Sequence, residues 1–393
     1  MKCFAPKTHL KGARKGQKMA TITHRERVLM SFNHEAPDRV PVDMMGNASM
    51  LLDQTYLRLR DHLGLTPIPP VRSGSSANYY DERILEVLGV DFRRIFLKKG
   101  PKNKTVYHED GTFTDGWGIR YKESGLFINP VEYPIKGDTI DAIESFYWPK
   151  PEELYSVEGL AEQARKMYEE TDFALVARNP ITYTFLDRSF LMMGMAEFMM
   201  LMASAPEIAD HMIQHELELN LGVYRMFLEA VGPYVQVVEV GDDLGSQQNL
   251  LVSPAMYRRF IKPAEKKLYD LIHELAPKAF LVHHTDGNVF KVLPDLIEVG
   301  VNILNPVQTS AKDMDGKSLK ANFGKQLVFH GAVEKMEHSK DELVAEVKER
   351  IDTLGPDGYV LASCNHMIDV EPENILAMFE TAREYAPWRK KSK

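Results

Sequence analysis

A single (β/α)8 (TIM) barrel of the α/β class, carrying an inserted β-hairpin, is the fold the sequence predicts, and three observations predict it. The chain has 393 residues. That length suits one such barrel, which spans about 200 to over 400 residues with insertions, although at roughly 150 residues per domain it would also fill two or three smaller units. Eight short runs rich in Val, Ile, Leu and Phe recur, each ending in polar residues and followed by a helical pattern: residues 40–44, 93–97, 173–177, 235–240, 279–282, 301–304, 327–329 and 359–362. Near-continuous apolar strands alternating with amphipathic helices describe a parallel sheet covered on its outer face. No Gly-x-Gly-x-x-Gly follows the first run, so the commonest mark of the alternative, a doubly wound open sheet, is missing.

The elements follow in order. Residues 1–18 carry Lys2, Lys7, Lys11, Arg14, Lys15 and Lys18 and no acid. No apolar run of 7 to 15 residues follows, as a signal peptide requires, so they read as a solvated basic tail before a barrel over 19–393, with Met19 a candidate start. Thr23 and Glu26 make a Thr-x-x-Glu capping box, which opens a helix carrying Val28, Leu29 and Phe32 and ending before Pro37. Between residues 102 and 136, Asp110-Gly111 sits between alternating β-formers, a hairpin signal, expected to pack over one barrel mouth. Residues 185–202 hold Met192, Met193, Met195, Met199, Met200 and Met202 out of 20 methionines. Deformable methionine lines adaptable apolar surfaces as well as cores, so this segment is either core helix or the wall of a pocket or interface.

Composition excludes several classes. With 44% hydrophobic and 26% charged residues, neither disorder nor collagen fits. Lys+Arg 48 against Asp+Glu 56, net −8, leaves no clustered basic patch for nucleic acid. No stretch approaches the roughly 20 apolar residues of a membrane span. Cys3 and Cys364, far apart, do not make a secreted disulfide framework, and a reducing cytoplasm is the expected location.

In such a barrel the site forms at the C-terminal ends of the strands. The residues there are polar: Asp43 and Asn47; Asn179; Glu239, Asp242 and Asp243; His284 and Asp286; Asn305 and Gln308; His330 and Glu334; Cys364, Asn365 and His366. In the run Phe280-Leu-Val-His-His-Thr-Asp-Gly-Asn, His284 and Asp286 share a strand face. With Cys364 from the last strand they make a nitrogen, oxygen and sulfur set that suits four-coordinate zinc with one position open. The alternatives are a satisfied His–Asp pair and a small buried thiol, and a register slip of one residue would exchange His283 with His284. Glu239 and Asp43 are candidate proton donors or anchors and His330 a candidate acid or base, each catalytic in that reading; His330 can equally orient a neighbour. Asn179, Asp242, Asp243, Asn305, Gln308 and His366 are candidate substrate contacts, though Asp242 or Asp243 can instead cap the following helix.

Arg25-Glu-Arg-Val-Leu, Ala36-Pro-Asp-Arg-Val-Pro-Val, Ser253-Pro-Ala-Met-Tyr-Arg-Arg-Phe-Ile-Lys-Pro and Pro372-Glu-Asn-Ile-Leu-Ala-Met resemble the uroporphyrinogen decarboxylase superfamily, over most of residues 21–385. Pro294-Asp-Leu-Ile-Glu-Val-Gly-Val-Asn-Ile-Leu-Asn-Pro-Val-Gln is the most specific stretch. The resemblance implies one (β/α)8 barrel. True decarboxylases of that superfamily carry Arg-Gln-Ala-Gly-Arg-Tyr after the first strand, to grip many carboxylates. Here that place holds Pro41-Val-Asp-Met-Met-Gly-Asn-Ala-Ser, with no arginine between Val40 and Tyr56, so a tetrapyrrole with eight acid groups lacks those counter-charges. The cobamide-dependent methyltransferase branch is closer. Its zinc site, a His-x-Cys and a distant Cys, maps onto His284, Asp286 and Cys364, with Asp286 departing from the pattern. The implied activity is zinc-dependent methyl transfer between a small methylated or thiol substrate and a cobamide on a partner corrinoid protein. Decarboxylation of an acidic substrate, or corrinoid binding without chemistry, are the other readings.

Overall fold

In the computed structural model, residues 22–72, 76–125 and 127–389 are described; the basic tail expected over 1–18, with Cys3, lies outside them. The strands, in chain order, are β1 (Phe92–Ile95), β2 (Lys98–Lys99), β3 (Val106–Tyr107), β4 (Thr112–Thr114), β5 (Arg120–Ser124), β6 (Phe127–Glu132), β7 (Tyr155–Ser156), β8 (Ala174–Ala177), β9 (Val237–Gly241), β10 (Phe280–His284), β11 (Ile303–Asn305), β12 (Val328–Val333) and β13 (Tyr359–Ser363). Seven of them form one parallel sheet in the order β1-β8-β9-β10-β11-β12-β13, joined by helices that bury their apolar faces against it. This is the alternation the apolar runs predict, because a strand buried on both faces has no polar side to show.

The run at 40–44 is the exception. It makes an isolated parallel bridge, Val42 with Leu361, rather than a ladder. Pro41 has no N–H to donate, and Met45 turns the chain away at φ 71°. The backbone of residues 41–43 nonetheless bonds to both edges of the sheet. Asp43 N–H donates to Leu361 O (3.0 Å) and Leu361 N–H to Pro41 O (2.9 Å), while Asp91 N–H, next to β1, donates to Val42 O (3.0 Å). The sheet is therefore curled, its two edges brought to one segment.

Asp91 ties this seam together. It is fully buried and accepts from Arg27 (2.8 Å), Arg39 (2.7 and 3.0 Å) and the Val42 N–H (2.8 Å), with His24 Nδ1 at 2.7 Å. The conspicuous arginines of Arg25-Glu-Arg and Pro37-Asp-Arg thus fasten the first helix, His24–Phe32, to the sheet. Its capping box at Thr23 and Glu26 is present. Likewise Arg258 and Lys262 from the Ser253 segment both bond Asp295 from the Pro294 segment (2.9 Å each at the closest).

The insertion is larger than a hairpin: β3-β4-β5-β6 form a four-stranded antiparallel sheet. Asp110-Gly111 does turn between β3 and β4, with Gly111 at φ 78°, and β2 pairs with β7 across the base of the segment. The methionine-rich stretch makes two helices, Leu186–Met193 and Met195–Ser204. Met192, Met193 and Met202 are core, whereas Met195 and Met200 are exposed. No described helix is long and apolar enough to cross a membrane.

Behind β10, His283 faces the helix Lys262–Leu275, with Tyr269 Oη 2.8 Å from its Nδ1. Burial lowers its pKa to about 3. On that helix Glu265 is fully buried, takes a 2.5 Å bond from Tyr257 Oη, and is raised by burial to about 7. A carboxyl raised in the folded state stabilises below its unfolded pKa and loses that contribution as pH rises through the folded one. Glu265→Gln should match wild type near pH 4 and gain on it as pH rises, with the full advantage reached above about 7, as urea unfolding at the two ends of that range would show.

Candidate active site

Five strands, β9 to β13, run one to four residues past their apolar runs, several of them into polar residues that read as loop in the sequence. Those residues form a buried polar layer. Asp43 is paired with Arg94 through two bonds, 2.9 and 2.7 Å, and Arg94 also bonds Glu239 at 3.2 Å. Glu239 in turn takes a bond from Arg178 (3.0 Å), which also bonds Asn47. From Asp43 the layer continues to His330 Nε2 (2.9 Å), from His330 Nδ1 to Asn305 Nδ2 (2.6 Å), and from Asn305 Oδ1 to His284 Nδ1 (2.8 Å).

The direction of this chain is set by chemistry. An ionised Asp43 only accepts, so His330 donates to it from Nε2 and accepts at Nδ1 from the Asn305 amide. Asn305 Oδ1 then accepts from His284 Nδ1–H. The remaining nitrogen, His284 Nε2, is left with a lone pair. It faces Asp243 Oδ1 at 3.7 Å, and the ligand atoms of Asp243, His284 and Asp286 all lie within 4.8 Å of one another. A proton or a metal ion can bridge that nitrogen to the carboxylates, and a histidine oriented by a hydrogen bond at its other nitrogen is the usual form of a metal ligand. The donor set therefore fits zinc.

Backbone and loop contacts hold the three donors. Asp286 N–H donates to Asp243 Oδ1 (2.9 Å) and Gly287 N–H to Gln308 Oε1 (3.0 Å). Gly241 is paired with His284 in the sheet, and a Cβ there would stand 3.0 Å from His284 Cβ, so the glycine lets the imidazole sit where it does. Burial and the Asp243 charge raise the Asp286 carboxyl, against His284. Asp242 is fully buried and accepts from three amides, Phe185, Leu186 and Asp187 (3.1, 2.5 and 2.9 Å). It caps the helix Leu186–Met193, which precedes it, rather than the helix that follows.

Above this layer, at the C-terminal ends of the strands, is a cavity of about 1040 Å³. Asn179, Asp243, His284, Asp286, Cys364 and His366 line it. Asp43, Glu239, His330, Asp242, Asn305 and Gln308 are not among its lining residues and act from beneath or beside it. His284, not His283, faces the site. Cys364 is buried and free and stands outside the Asp243–His284–Asp286 group; burial and the charges of Glu334 and Asp286 push its thiol well up. His366 is lowered to about 4 by burial and His284.

Arg72 and Arg178 also line the cavity, and no sequence pattern marks either as a site residue. Arg178 follows its apolar run directly, and burial pulls its guanidinium down to about 10. Arg72 bonds Ala77 O (2.5 Å) and Met50 Sδ (3.3 Å), and burial lowers it too. The insertion adds Phe113, Trp117 and Tyr121 to the lining.

Asn305→Leu removes the acceptor that fixes His284. Loss of such a partner typically costs 10–100-fold in metal affinity, and zinc titration of the variant should show a loss of about that size with the fold retained.

Comparison with known proteins adds the lineage. Among solved structures, a methyltransferase from Methanosarcina mazei overlays with TM-score 0.66 at 17% identity, covering 93% of this chain and 99% of that one. A B12-independent methionine synthase from Shewanella sp. W3-18-1 gives TM-score 0.41 at 11% identity, over 88% and 97% of the two chains, too loose to carry an argument. No curated protein matches the chain. The family model described as Uroporphyrinogen decarboxylase (URO-D) matches residues 132–385, a span that takes in β8 to β13 with Asp243, His284, Asp286 and Cys364, and the chain belongs to that family.

Proposed function

We propose that the protein is a metal-dependent methyltransferase that moves a methyl group between a small substrate and a cobamide carried on a partner corrinoid protein. The observation that carries the reading is the convergence of one ligand atom each from Asp243, His284 and Asp286, all within 4.8 Å of one another, with His284 Nδ1 tied to Asn305. Asp243, His284 and Asp286 would hold zinc, with Cys364 as a further donor from the same cavity. Bound there, zinc would supply Lewis acidity, lowering the pKa of a substrate thiol or polarising an ether oxygen. A site with two carboxylates gives the ion less charge than thiolates do, which suits that role.

The chain's own groups supply the rest. Asp43, His330 and Asn305 hold the imidazole in one tautomer. Arg72 and Arg178 favour a substrate that carries an anionic group. The aromatic wall from the inserted sheet keeps water from the substrate. Residues 40–44 take the eighth strand position and close the barrel, and the partner approaches over the strand ends beside the inserted sheet. Cys364, free and buried, suits a reducing cytoplasm.

Arg72 and Arg178 also favour a second reading, decarboxylation of an acidic substrate. One experiment separates them. Zinc-loaded protein is incubated with methylcob(III)alamin and a panel of small thiols, following the corrinoid spectrum, and in parallel with uroporphyrinogen, following carbon dioxide. Thiol-dependent loss of the methyl group supports methyl transfer. Carbon dioxide release supports the decarboxylase, and corrinoid binding without exchange supports a non-catalytic role.

A further inference from the structure

Away from the cavity, a second group of ligating side chains meets at the surface. His211 and His215 lie four residues apart on the long helix Pro206–Val231, which puts both rings on one face. Glu144 reaches them from the helix Ile140–Ser145, in the segment that leads from the inserted sheet back to the barrel. Both Nε2 atoms point at one oxygen, Glu144 Oε1, at 2.6 Å from His211 and 3.3 Å from His215. All three ligand atoms lie within 4.8 Å of one another. Trp148 stacks on His215 with centroids 4.8 Å apart and planes at 10°, and the two imidazoles meet edge to face at 4.9 Å. The rings are thus fixed by packing, while the side chains keep 31% and 22% of their surface exposed,, so an ion from solution has access.

Two histidines four apart on a helix, with a carboxylate facing them, are a three-ligand set for zinc that leaves a position for water. We propose that Glu144, His211 and His215 form a second metal site, for a divalent transition cation of the zinc class, which fastens the insertion to the barrel. Surface ion pairs alone contribute little, whereas a metal ion bound to the folded form only stabilises the arrangement it bridges. The consequence reaches the active site, since the insertion carries the cavity wall of Phe113, Trp117 and Tyr121.

The test compares full-length wild type with a His211→Ala/His215→Ala variant, both equilibrated with zinc alone and freed of excess. The variant should hold one zinc fewer per chain, whatever the wild type holds, because the cavity residues are unaltered. Glu144→Gln should weaken the same site by about tenfold or more, the loss typical even of an outer partner. Zinc should slow proteolysis within residues 102–154 of wild type and not of the double variant. Equal zinc content in the two proteins overturns the site, and equal proteolysis with and without zinc in wild type overturns its fastening role. Loss of zinc in His284→Ala is a separate measurement, so failure of the cavity site and of this one are told apart.

Discussion

Replacing His284 or Asp286 with Ala should empty the cavity of zinc and reduce methyl transfer to background, a loss larger than the roughly 10–100-fold that an outer partner costs. The two variants should differ in what they do to the apo-protein. His284→Ala leaves Asn305 Oδ1 without its donor, a buried unsatisfied acceptor that costs about 1–3 kcal/mol. Asp286→Ala instead removes one of two carboxylates facing each other in the cavity, where burial and the Asp243 charge already raise the Asp286 carboxyl. With zinc chelated, Asp286→Ala should therefore melt at or above wild type, and with zinc restored its cavity should still hold none. That pattern, function lost and stability kept, marks a group held in place for a ligand rather than for the fold. Zinc analysis and melting curves in chelator check both halves.

Arg94→Met should be the most destabilising substitution in the polar layer, by about 3–5 kcal/mol, as expected when one partner of a buried charge pair is removed. Arg94 is the shared cation of Asp43 and Glu239, and all three are buried. Burial by itself would raise the Asp43 carboxyl; Arg94 and His330 outweigh it and hold that carboxyl well below the usual range. A depressed carboxyl contributes stability above its unfolded pKa and loses it as pH falls through the folded one. The gap between wild type and Arg94→Met should be widest near neutral pH and narrow as pH falls below about 4, the unfolded Asp value. Urea unfolding across that range measures it.

These residues also show what can be read from the sequence and what cannot. The parallel strands were legible because burial on both faces makes them continuous apolar runs. Their ends were not, because His330 and Asn305 are polar and look like loop until their partners on neighbouring strands are known. Arg93 and Arg94 stood inside a run read as apolar. Arg93 faces outward over Phe173, 3.7 Å from its ring, and Arg94 inward, a distinction that depends on which acids come from 51 and 145 residues away. His284 and Asp286 were legible as a pair through strand periodicity. Asp243 reads as a substrate contact, but its place beside them follows from the β9–β10 register, and Cys364 directly follows β13, at a distance from them that no local pattern sets. Asp242 caps a helix earlier in the chain, so local spacing pointed to the wrong one. Glu144 with His211 and His215 was invisible, since His-x-x-x-His on a helix reads as a solvated face until a carboxylate arrives from elsewhere.

The proposed activity turns on a zinc ion held by Asp243, His284 and Asp286. Anomalous diffraction at the zinc edge, from crystals of the full chain grown with zinc, tests it most directly. The expected result is a peak within coordination distance of His284 Nε2 and of carboxylate oxygens of Asp243 and Asp286. A cavity with no peak, or one whose zinc leaves His284 Nε2 uncoordinated, would contradict it.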